Sequence, residues 1–244
     1  MNLRKAWTIA RKDFAVFWQK KSILATLLAF PLGVGVGLPV VLLFVSRRQS
    51  LSFASLLPLT DSFAFFFMVS TAAVATSLGS YAIVGEKAEK SLEPLLAAPI
   101  SDSDLLLGKV LAAFLPTVGS TLLGATVFMG VVDAISFPQL HSLWYPNWSI
   151  AALLLVATPL ACLFCVEVDV LVSSRASDVR TAQQLGGLMA LPFAVIYVLG
   201  EVHVLTLDTP TLLWISLGLL AVDLALFPVS RATFRREEIL THWR

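Results

Sequence analysis

Residues 23–45 form a run of 23 residues without a charge, and five more apolar runs follow at 62–84, 105–132, 150–172, 185–200 and 212–230. About 20 apolar residues carry a helix across the ~30 Å of hydrocarbon in a bilayer. The chain is 57% hydrophobic and 14% charged, whereas a soluble domain carries roughly 25% charge and less than half apolar residues. The fold expected is an all-α integral membrane protein: an N-terminal amphipathic helix within residues 1–22, six transmembrane helices within 23–230, and a charged tail, 231–244.

The N-terminal stretch places Leu3, Trp7, Ala10, Phe14 and Phe17 on one helical face and Arg4, Lys5, Arg11, Lys12, Lys20 and Lys21 around the rest. That pattern suits a helix lying in the membrane interface, aromatic side down; a soluble helix packed on a partner is the alternative. No small-residue cleavage site follows it, so it is expected to stay on the mature chain.

Within the first run, Gly33 and Gly37 form a small-xxx-small pair suited to close helix contact, and Pro31 and Pro39 predict a kink. Their GVGVG string is no phosphate loop, because no strand precedes it. Residues 47–60 read as a short connection. Residues 133–149 read as a loop whose Trp144, Tyr145 and Trp148 have the composition of an interfacial belt; Asn147 heads a glycosylation sequon. In the second run, Thr71, Thr76, Ser77 and Ser80 either bond back to their own helix or give a pathway a mildly polar, uncharged lining.

With six spans both termini share a side, and all Lys and Arg residues except Arg47 and Arg48 fall on it. The positive-inside rule assigns that side to the cytoplasm. Two polar islands, 85–109 and 173–184, then face the cytoplasm as well.

Several chemistries have no foothold. The sequence lacks a G-x-x-x-x-G-K-[ST] loop, His141, His203 and His242 are isolated, and no H-E-x-x-H or paired-carboxylate site occurs. Catalytic residues, a metal site and a nucleic-acid partner are therefore not expected. Cys162 and Cys165 lie in an apolar run and read as buried side chains. Glu167 and Asp169 read as solvated residues near the cytoplasmic boundary. Asp223, eight residues before Arg231, is the intramembrane charge. It is either a proton- or cation-linked carboxylate or one paired with a neighbour such as Lys109.

The first island is the informative one. Ser91 can cap a short helix in which Leu92, Leu95 and Leu96 share a face, Pro94 is tolerated in the first turn and Pro99 ends it. Ser101, with Asp104 three residues later, starts the next helix. Three leucines framed by Glu86, Lys87, Glu89, Lys90 and Glu93 describe a surface presented to a partner, or one packed on the protein's own helix ends.

Gly85-Glu86, Ser91-Leu92-Glu93, Leu95-Leu96, Pro99-Ile100-Ser101 and Gly108-Lys109 follow one another in an order that resembles the permease subunit of ABC-2 type transporters. Arg175, Asp178, Arg180, Gln183 and Gln184 resemble that family's second cytoplasmic loop, and Arg236-Glu237-Glu238 its tail. The resemblance implies a plasma-membrane permease, of prokaryotic type, that is not itself an enzyme. It implies pairing with a second copy or a related permease, and two separate ABC ATPase subunits that hold the ATP and Mg. Residues 85–104 would then be the coupling segment, with Glu86, Glu89, Ser91, Leu92, Glu93, Leu95, Leu96 and Pro99 at the ATPase. The implied activity is export by alternating access. The uncharged spans point to a hydrophobic or amphipathic cargo. An ion-coupled transporter or channel using Asp223, and a membrane anchor without transport, are the alternatives.

Overall fold

The structure, a computed structural model, describes residues 2–88, 100–176, 178–202 and 204–233. All regular elements among these residues are helical, and six helical stretches are long and apolar enough to cross a membrane. The expected core of the coupling segment, with Glu89, Ser91, Leu92, Glu93, Leu95, Leu96 and Pro99, lies outside the described residues, as does most of the tail.

Helix α1 (Leu3–Gln19) buries Ala6, Ile9, Ala10, Asp13 and Phe17, so the face turned inward carries a carboxylate as well as apolar groups. An extended Lys20 interrupts the helix, and α2 (Lys21–Gln49) runs unbroken with Pro31 and Pro39 inside it. Its buried stripe, Ile23, Leu27, Pro31, Gly35, Pro39, Leu42 and Ser46, follows the three- and four-residue steps of one helix face.

The close contact on this stripe belongs to Gly35, not to Gly33 and Gly37. A methyl added at Gly35 would fall 2.5 Å from the Gly124 carbonyl oxygen, while Gly33 and Gly37 face open space. The reason is register: each is two residues from Gly35, about 200° around a 3.6-residue helix.

A 3-10 turn (Phe53–Leu56) leads into α3 (Leu57–Gly79), which breaks at Ser80 and resumes as α4 (Tyr81–Ala88). Helix α5 (Asp102–Leu140) has 39 residues, ~58 Å at 1.5 Å per residue, so it exceeds the hydrocarbon thickness by a wide margin. It continues past the expected boundary at Val132. Asp133 is tolerated there because its Oδ1 accepts the Trp144 and Tyr145 N–H groups at 2.9 and 3.1 Å.

The connection after α5 is thus short, and Trp144, Tyr145 and Asn147 tie it down. Tyr145 hydroxyl donates to Thr60 Oγ1 at 2.9 Å, and Trp144 Nε1 and Asn147 Nδ2 both donate to Asp61 Oδ1. Asn147 Oδ1 accepts the Ile150 N–H; the residue that heads a sequon serves here as a helix cap.

Helix α6 (Trp148–Ala152) passes through a π turn (Leu153–Ala157) into α7 (Thr158–Arg175). Pro159 explains the widened turn: it cannot donate to the carbonyl four residues back and its ring crowds that group. Asp178 caps α8 (Val179–Gly187) through the Thr181 N–H. A 3-10 turn (Leu188–Ala190) and α9 (Leu191–Glu201) follow, the break falling just before Pro192, and α10 (Thr209–Thr233) ends the described chain. The core lies where α2, α3, α5 and α7 meet, around residues such as Phe65, Phe67, Phe128 and Cys165.

Candidate functional site

Two features with functional potential meet at α4, one joining it to α1 and α5 and the other joining it to α7. The first is an ion cluster. Lys109, 1% exposed, lies 2.8 Å from Asp13 Oδ2 and 2.9 Å from Glu86 Oε2, and Glu86 Oε1 also meets Lys12 at 2.6 Å. Two cations thus face two anions, which limits the cost of burying them. Burial pushes Asp13 up from the usual carboxylate range, and Lys109 pulls the other way. A cavity of about 30 Å³, enough for one water, opens among Lys12, Asp13, Phe17, Gly85 and Glu86.

The glycines of the Gly-Glu and Gly-Lys pairs make this geometry. A methyl at Gly85 would collide with the Tyr81 ring, one helical turn earlier. That ring in turn carries Lys20, whose Nζ lies 3.9 Å above its centroid and 2.8 Å from its hydroxyl. A methyl at Gly108 would come within 2.8 Å of Ile9 Cβ and 2.9 Å of the Ala6 carbonyl oxygen. Gly108 lets α1 lie directly on α5, which brings Asp13 within reach of Lys109.

The ends of α1 and α5 are joined as well. Ser101 Oγ accepts the Asp104 N–H at 3.2 Å, and Asp104 Oδ1 accepts the Asn2 N–H at 2.6 Å. The described chain is thus anchored on either side of residues 89–99, by Glu86 of α4 before them and by Ser101, Asp104 and Lys109 after them.

The second feature is a latch at the α3–α4 break. Ser173 Oγ accepts the Ile83 and Val84 N–H groups at 3.2 and 3.1 Å and donates to the Ser80 carbonyl at 2.8 Å. A side chain of the second polar island thus satisfies backbone groups freed just before the first. The other named residues of that island, Arg175, Asp178 and Arg180, are exposed.

Of the hydroxyls in the second span, Thr71 is fully buried, bonding the Phe67 carbonyl and Thr121 Oγ1 of α5 at 3.0 Å. Thr76 bonds back to the Ala72 carbonyl, and Ser77 is half-buried. The acids differ from their expected settings. Glu167 and Asp169 are buried, at 3% and 1% exposure, rather than solvated. Two residues apart on a helix, they point to different neighbours. Asp169 fits between Gly79 and Gly186, where a methyl on either glycine would strike it.

Asp223 is also buried, at 3% exposure. Lys109 is committed to Asp13 and Glu86, so Asp223 does not have it as a partner. Neither carboxylate oxygen of Asp223 has a hydrogen-bond donor among the described residues. Among the described residues, no group of His, Cys, Asp and Glu is arranged to hold a metal ion.

Sequence alone did not reveal the Lys109–Asp13–Glu86 contacts. The partners are separated by 96 residues in one case, and no local period reports such a pairing. The lone lysine inside an apolar run was the available signal, since a buried cation demands an anion.

No curated protein matches the chain. The family profile described as ABC-2 family transporter protein matches residues 7–213, a stretch that includes the ion cluster, the latch and the start of α10. The chain belongs to the ABC-2 transporter family and is a multi-pass membrane subunit of an ABC transporter.

Proposed function

We propose that this subunit is an exporter permease. Two copies, or one copy and a related permease, enclose the pathway, and two separate ATPase subunits dock on the cytoplasmic face. The ion cluster, α4 and residues 85–104 lie on that face, which is the assignment the distribution of Lys and Arg supports. ATP and Mg belong to the partner.

One observation carries this reading: Glu86 and Lys109, which flank residues 89–99 in the chain, are ion-paired to each other and share α1 as a support. In this reading a displacement at either end of the segment is delivered to α1, α4 and α5 together. Leu92, Leu95 and Leu96 fill an apolar notch in the ATPase, and Glu89 and Glu93 set the register. Closure of the ATPase pair shifts the population between inward- and outward-open forms. Spans lined by small, apolar and hydroxylated side chains favour a hydrophobic or amphipathic cargo.

Co-purification tests the proposal. A nucleotide-hydrolysing subunit is expected to follow the tagged wild-type chain and to be lost with Leu95→Asp or Leu96→Asp at unchanged membrane level. Retention of the subunit by both variants would overturn the docking assignment.

Asp223 favours a second reading, in which proton or cation movement accompanies transport, because its oxygens are buried without a hydrogen bond among the described residues. Asp223→Asn should then abolish transport at normal protein level. Wild-type transport by that variant excludes the idea.

A further inference from the structure

We propose that the groove between α1, α2 and α5 seats one anionic phospholipid, its acyl chain inside and its headgroup against Arg11 and Lys21. The groove has a volume of about 330 Å³, and its walls include Phe14, Phe17 and Trp18 from α1, Leu24 and Leu27 from α2, and Pro116 from α5. Three elements close around it, and its lining is almost wholly apolar, so the part of a ligand that fits is a hydrocarbon chain.

The rim determines what that chain is attached to. Arg11 precedes Phe14 by three residues and Trp18 by seven, so it extends the groove-facing side of α1. Lys21 stands one turn before Leu24 on α2. Both are exposed. Among the described residues of these helices no carboxylate offsets them there: Asp13, the sole acid of α1, is turned into the ion cluster with Lys109, and α2 contains no acid. Asp102 and Asp104 begin α5, at least eleven residues or ~16 Å by helix rise before Leu115, which also lines the groove. The first turn of α2, whose cap residue Lys20 makes no side-chain capping bond, adds backbone N–H groups at the same rim.

An apolar slot with a cationic mouth complements a phosphodiester that carries an acyl chain, and a net negative headgroup better than a zwitterionic one. This placement rests on the reading that α1 lies along the cytoplasmic interface. Phe17 lines this groove and also the small cavity of the ion cluster, so an occupant would touch the support of residues 89–99.

The test is native mass spectrometry of the purified full-length chain in detergent with equal amounts of dioleoyl phosphatidylglycerol and dioleoyl phosphatidylcholine. One phosphatidylglycerol per chain is expected to persist at collision energies that strip phosphatidylcholine. Arg11→Gln with Lys21→Gln, at exposed positions that leave packing intact, should weaken its retention about thirtyfold. Leu24→Trp, which fills the slot, should remove it without a change in melting temperature. Equal retention of the two lipids, or unchanged retention in the double variant, overturns the proposal. Lipid retention is read without an ATPase, so its failure leaves the permease assignment intact, and loss of ATPase co-purification leaves the lipid result intact.

Discussion

Lys109 is the residue on which the ion cluster depends most. Lys109→Met would leave Asp13 and Glu86 buried without their shared cation, at a cost of about 3–5 kcal/mol. A clear fall in melting temperature is expected in detergent, and adding Asp13→Asn and Glu86→Gln should restore much of it, because neutral groups need no counter-charge. A Lys109→Met chain that melts with the wild type would remove the cluster from the list of stabilising features. A second residue-level contrast concerns the first span. Gly35→Ala forces a methyl against the Gly124 carbonyl and should destabilise by roughly 1–3 kcal/mol. Gly33→Ala and Gly37→Ala meet open space and should be neutral or stabilising by up to about 1 kcal/mol. Thermal melts of the three single variants decide whether the register argument holds.

Between elements, the most consequential contact is the one from α7 to the α3–α4 break. Ser173→Ala would strand the Ile83 and Val84 N–H groups at a cost of about 1–3 kcal/mol, and faster amide exchange at those two positions is the expected reading. Unchanged protection there would mean that other groups hold the break. The positions of the elements follow well from sequence, because long apolar runs separated by polar islands leave few ways to place spans in a bilayer. Their ends do not. Asp133 looks like a loop residue until Trp144 and Tyr145 supply N–H donors to it. The π turn is hidden because the apolar stretch before Pro159 looks the same whether its turns close at four residues or five. Glu167 and Asp169 resemble boundary residues by their distance from Arg175, yet the neighbouring helices cover them. Ser101 as a cap is legible because capping is local; the partners of Lys109 are not, because they are set by how α1 crosses α5.

At the scale of the molecule, sidedness is the property most open to direct measurement. With Cys162 and Cys165 fully buried, a membrane-impermeant maleimide should leave the intact wild-type chain unlabelled. A cysteine placed at Ser91 should react only from the cytoplasmic side and one at Asp208 only from the opposite side. The reverse pattern would invert the assignment drawn from Lys and Arg, and with it the face on which an ATPase could act.

The crossing of α1 and α2 over α5 also constrains the order in which the protein can be made. The stripe of α2 and the buried face of α1 find their contacts on a helix that begins at Asp102, so both emerge from the ribosome well before their partner exists. Until Lys109 has been synthesised, Asp13 and Glu86 lack the cation that joins them. A nascent chain halted short of the third span would thus hold two carboxylates and a glycine-proline seam in an uncompleted setting. A single event, the insertion of α5, supplies the partners of both.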